Sequence, residues 1–122
     1  IYTLSLHDAL PICVSTSPGF HPYFPAVGTQ FDFNGAPYDA DYIAHTEFVA
    51  SPSDTHVAFD GLKLDIRTQN LPVYALWSDR NGQYTCAEPT AEGNAFLSPA
   101  RGGQFVSGHG KKHYGMKIRL IA

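Results

Sequence analysis

The chain has 122 residues, of which 43% are hydrophobic, 16% charged and 13% aromatic. This fits one small globular domain and excludes an intrinsically disordered chain. No run approaches the roughly 20 apolar residues of a membrane-spanning helix, and a net charge of −3 argues against a nucleic-acid partner. Two cysteines are too few for a disulfide scaffold or a cysteine-only zinc site, so Cys13 and Cys86 read as thiols rather than a bridge. With 11 Gly and 9 Pro, turns are frequent and long helices are not expected. Five bases and no acid follow Glu92, whereas ten acids and three bases lie in 13–92. That asymmetry reads as a solvated surface pattern.

Residues 1–12 read IYTLSLHDALPI. This string resembles the translation of a common short-read sequencing adapter, and it is set aside as a non-native segment. With it go a strand or helix through Leu4, Leu6 and Leu10, and any site built on His7 and Asp8. The native part is then 13–122, expected to be the C-terminal portion of a longer domain, with its true N-terminus missing.

The segment Gly19-Phe20-His21-Pro22-Tyr23-Phe24-Pro25 sets an imidazole among aromatic rings. The two prolines remove backbone donors and favour an extended chain, which fixes the ring of His21. One reading is a core histidine packed by aromatics; the other is a general acid/base tuned by apolar walls. A short strand is expected near 29–33. A short helix has its only opening within 36–50, where Pro37 and the β-branched residues weaken it.

From 56 onward the periods are clear. His56 to Phe59, the turn Asp60-Gly61, and the alternation Leu62, Leu64, Ile66 predict a hairpin. Asp54, ahead of His56, is a candidate for accepting sugar hydroxyl hydrogen bonds, although capping a turn is commoner for such an Asp. Runs at 73–78 and 83–88, separated by Asp79-Arg80-Asn81-Gly82, predict an antiparallel pair. Tyr74 and Trp77 fall on opposite faces of the first run, one inward and one free to serve as a sugar platform. On the second, Tyr84, Cys86 and Glu88 share a face. Pro89 is expected to end the ladder and leave Glu88 at a strand end, as a general base raised by its surroundings or as a solvated carboxylate. Near the C-terminus, His109 and His113 have ligand-like spacing, but Gly108 and Gly110 spoil the helix that spacing needs, so no metal site is assigned. Met116, Ile118 and Leu120 close the chain with a last strand. The sum is an all-β segment of about six strands, of the sandwich or barrel class.

The ordered pair FHPYFP and CAEP resembles the aldose 1-epimerase (mutarotase) family. The resemblance covers most of 13–122 as the C-terminal part of that family's domain, and it implies a galactose-mutarotase-type β-sandwich (supersandwich), here truncated. It implies that His21 is the catalytic histidine that protonates the ring oxygen and Glu88 the base that takes the anomeric hydroxyl proton. It places Asp54 near the family's sugar-binding aspartate, with Tyr23 and Trp77 as further substrate contacts. The implied partner is a small aldohexose, with no metal, nucleotide or redox cofactor, no nucleic acid and no membrane, and the implied location is the cytoplasm. Which aldose is preferred and the oligomeric state are left open. Two other readings compete: a non-catalytic carbohydrate-binding β-sandwich, with no His/Glu pair face to face, and a structural β-domain in which His21 is buried and Glu88 points to solvent.

Overall fold

The computed structural model describes residues 2–6, 14–16, 18–25, 30–39, 46–51, 53–59, 61–78, 84–93, 104–106 and 109–121. Their strands are β1 (Tyr2–Leu6), β2 (Val14–Thr16), β3 (Tyr23–Pro25), β4 (Gln30–Phe33), β5 (Ala36–Asp39), β6 (Glu47–Ala50), β7 (Asp54–Phe59), β8 (Leu62–Gln69), β9 (Val73–Ser78), β10 (Tyr84–Thr90), β11 (Gln104–Val106) and β12 (Lys112–Ile121). No α-helix occurs among the described residues, and none there is long and apolar enough to cross a membrane. The all-β expectation holds. The short helix considered within 36–50 gives way to β5 and β6, with the intervening residues 40–45 outside the described set.

A six-stranded sheet runs β1-β12-β8-β7-β4-β5, and a four-stranded sheet runs β3-β10-β9-β6. β2 and β11 form a separate pair. All pairings are antiparallel. Alternation decides which side of each sheet is buried. Thr55, Val57 and Phe59 of β7 and Leu64 and Ile66 of β8 turn inward. They meet Phe24, Tyr74, Leu76 and Ala87 of the other sheet in one core with Phe31, Phe33 and Met116. Burying each large apolar side chain contributes about 1.5–3 kcal/mol, and ring pairs such as Phe33 with Tyr74, centroids 5.1 Å apart, lock the two layers together.

The expected hairpin at 56–67 is present as β7 and β8, longer at both ends. Gly61 holds φ +76° in its turn; Asp60 lies outside the described residues. The 73–78 run is β9, and it pairs with β10 as expected; the proposed turn at 79–82 lies outside the described residues. A hairpin not foreseen joins β4 to β5 through Asn34-Gly35, both at positive φ, as a tight two-residue turn demands. Residues 2–6, whose strand reading was set aside, form β1 and pair along β12. His7, Asp8, Leu10 and Cys13 lie outside the described residues.

Two expectations about position are corrected. β10 does not stop at Pro89: it continues to Thr90, with Pro89 opposite Tyr74 and Thr90 opposite Val73. The reason is a change of neighbour. β3 flanks β10 only from Tyr84 to Cys86, after which the segment 18–20 takes over. Phe20 N–H donates to Pro89 O at 3.0 Å, and Ala91 N–H donates to Pro18 O at 2.9 Å. Glu88 therefore sits within a strand rather than at its end.

Candidate active site

The outer face of the four-stranded sheet is built by the residues that alternate with the core. On β10 these are Tyr84, Cys86 and Glu88; on β9, Ala75 and Trp77; on β3, Tyr23. The register sets Glu88 opposite Ala75 and Cys86 opposite both Trp77 and Tyr23. The small Ala75 leaves the Glu88 carboxylate room to lean along β9, where the Trp77 indole N–H donates to Glu88 Oε1. Tyr74, by contrast, points inward and is fully buried; burial pushes its phenol up to about 12.

His21 reaches this face through a tethered backbone. Gly19 bridges Thr90 so closely that an added Cβ would stand 3.1 Å from Pro89 O and 3.2 Å from Thr90 Cγ2. Two residues later, His21 Nδ1 lies 3.2 Å from Glu88 Oε1. Its other ring nitrogen, Nε2, lies 3.4 Å from the Tyr23 hydroxyl. The imidazole stacks on the Tyr23 ring, with centroids 4.5 Å apart and planes within 11°, and meets Trp77 edge-on. Tyr84 completes the aromatic group through edge contacts with Tyr23 and Trp77.

The two ionisable groups differ in exposure. The His21 side chain is 45% exposed and that of Glu88 11%. His21 is thus open to a ligand rather than a packed core histidine, and Glu88 does not point into solvent. Burial is the largest influence on Glu88 and pushes its carboxyl above the ordinary carboxylate value; the Trp77 N–H and the His21 charge pull it partly back. A cavity of about 420 Å³ opens beside His21, walled by Phe20, Tyr23, Phe24, Met116 and Ile118; Glu88 is not on its wall.

The sequence-derived candidates are only partly brought together. His21, Glu88, Tyr23 and Trp77 form one cluster. Asp54 does not join it. It begins β7 in the other sheet, on the solvent face, and its Oδ1 accepts from Arg67 Nε at 2.7 Å. His56, Asp65 and Arg119 continue that surface as a second set of cross-strand charge partners. Tyr84 and Cys86 also belong to the cluster, although from the sequence neither had a role at the site beyond sharing the face of Glu88. Among the described residues, His109 and His113 join no group of three metal-ligating side chains, whereas His21, Cys86 and Glu88 do, their ligand atoms all within 4.8 Å of one another.

The imidazole and carboxyl at the heart of this cluster, 3.2 Å apart, are the kind of groups that exchange a proton with a bound hydroxyl. Comparison with known proteins bears on the scaffold. No protein-family model and no curated protein matches the chain. Two solved structures do. The Slr1438 protein of Synechocystis sp. PCC 6803 superposes with a TM-score of 0.70 at 18% identity, over 97% of this chain and 49% of its own. A candidate aldose 1-epimerase of Escherichia coli K12 superposes with a TM-score of 0.67 at 15% identity, over 98% of this chain and 55% of its own. The chain thus spans about half the length of the structures it matches, and what it shares with them is the fold: an aldose 1-epimerase-like β-sandwich.

Proposed function

We propose that this chain carries the acid–base pair of an aldose 1-epimerase acting on a small aldohexose. The observation that carries the reading is the 3.2 Å approach of His21 Nδ1 to Glu88 Oε1 within an aromatic-walled site. Interconverting anomers requires opening the hemiacetal. One group takes the proton from O1 while the other protonates O5, so the C1–O5 bond breaks without full charge building up. The aldehyde then turns about C1–C2, and ring closure runs both transfers in reverse with the roles exchanged. O1 and O5 are bonded to the same carbon, so the two groups belong side by side.

Glu88 is the base for O1 and His21 the acid for O5. The raised carboxyl suits Glu88 to both halves of the cycle, because a proton it accepts is then held long enough to be returned. Substrate would replace the direct His21–Glu88 contact by one contact to each oxygen. Tyr23, 58% exposed, and the half-buried Trp77 offer ring faces to the sugar C–H surface. Asp54 has no part in this, since it is engaged with Arg67 on the other sheet.

Polarimetry on freshly dissolved α-glucose or α-galactose in the presence of the protein tests the proposal. Acceleration of the rotation change over buffer is the expected result. Sugar binding without acceleration would instead identify a carbohydrate-binding module that uses the same aromatic face.

A further inference from the structure

Cys86 has no role in the proposed anomer interconversion, yet it lies beside the two groups assigned to it. Its side chain is fully buried and carries a thiol, not a disulfide. It shares the β10 face of Glu88, opposite Tyr23 and Trp77. One ligand atom each from His21, Cys86 and Glu88 lies within 4.8 Å of the others, and the imidazole nitrogen and carboxylate oxygen are already 3.2 Å apart. Ligand atoms around a tetrahedral zinc, bound at about 2.0–2.3 Å, stand roughly 3.3–3.6 Å from one another. The nitrogen–oxygen edge is already close to that spacing, and the sulfur, no more than 4.8 Å from either partner, needs a movement of at most about 1.5 Å.

We propose that His21, Cys86 and Glu88 form a three-ligand site for a thiophilic divalent cation such as Zn2+, with the fourth position open. On binding, the Cys86 thiol gives its proton to solvent and a sulfur–metal bond forms; His21 and Glu88 coordinate through unprotonated atoms. Thiolate and imidazole together select Zn2+ or Co2+ over Mg2+ and Ca2+, which prefer oxygen. Occupancy would remove the lone pairs that the proposed epimerase uses, so the cation acts as an inhibitor. That consequence rests on the epimerase reading; the binding itself does not.

Co2+ added to the full chain reports the site directly, through the near-ultraviolet thiolate-to-cobalt charge-transfer band. The band is expected to appear, to be displaced by Zn2+, to persist in excess Mg2+, and to vanish in Cys86→Ser while surviving in Cys13→Ser. No band, or one lost in Cys13→Ser and kept in Cys86→Ser, overturns the proposal. Should Cys86→Ser disturb packing, His21→Ala decides, because the His21 ring is half exposed: Zn2+ affinity must fall at least about tenfold, and unchanged affinity refutes the site. A chain that binds Co2+ in this way but never epimerises would sink only the epimerase reading. Epimerisation indifferent to Zn2+, with no band, would sink only the metal site.

Discussion

His21 Nδ1 and Glu88 Oε1 stand 3.2 Å apart, one on an open extended segment and the other buried in the middle of β10. Burying a carboxylate on an aromatic face is costly when it ionises. The folded-state value of Glu88 lies above the ordinary 4.5, so the native state keeps this proton over a range in which the unfolded chain has released it. The associated stability is complete below the ordinary value and is lost as pH rises through the raised one. Glu88→Gln, neutral and of the same shape, is therefore expected to raise the melting temperature at neutral pH and to leave it nearly unchanged well below pH 4.5. Thermal denaturation at both pH values checks this, and a variant less stable at neutral pH would contradict it.

Trp77 bears on Glu88 directly, apart from the ring face proposed to meet the sugar. Its indole N–H holds the carboxyl below the value that burial by itself would give. Trp77→Phe keeps an aromatic ring but removes that donor. The acidic limb of the pH–rate profile should move to higher pH, and the plateau rate should fall roughly tenfold, the equivalent of one hydrogen bond to a charged group at its weaker end. A merely packing role for Trp77 would leave the limb in place.

The tether upstream of His21 has no spare room. In Gly19→Ala the new methyl meets a backbone oxygen at 3.1 Å, which cannot swing aside as a side chain would. A loss of about 1–3 kcal/mol in stability is expected, with slower catalysis because His21 is shifted. Gly35→Ala is the control. There a methyl meets nothing within 4 Å, but φ is +83°, so the cost is conformational, about 1 kcal/mol, and catalysis should be untouched. Denaturant unfolding with parallel rate measurements separates the two.

The surface charges of the larger sheet make a different prediction. The Arg119 guanidinium beside Asp65 holds its carboxyl below the ordinary value, partly opposed by burial and aided by His56. The stability this supplies is present above the ordinary carboxylate range and lost as pH falls through the lowered value. Arg119→Gln should therefore bring the Asp65 titration back up, read by carboxyl NMR, with no effect on the candidate site.

Much of the scaffold was legible because its strands alternate. Leu62, Leu64 and Ile66 announce β8, and the partners β9 and β10 follow from the run on each side of a turn. The strands that escaped are short or depend on distant neighbours: β2 and β11 have three residues each, and β10 passes Pro89 because β9 pairs with it through Thr90 while the segment 18–20 supplies a new edge on the other side. The Asn34-Gly35 hairpin was readable from its dipeptide. So was the outward placement of Asp54, since Thr55, Val57 and Phe59 already claim the core face of β7. The meeting of His21 with Glu88 was legible only through the ordered pair of motifs, because no local period relates two distant chain regions. Their direct contact, and the inclusion of Cys86, needed coordinates.

The decisive measurement is magnetisation-transfer NMR of α–β exchange of an aldohexose with the protein, alongside His21→Asn, Glu88→Gln and the double variant. If the two side chains work as one unit, each single change slows exchange at least about a hundredfold, and the double variant is scarcely slower than the worse single one. Exchange at the unmodified rate in either single variant would contradict the assignment.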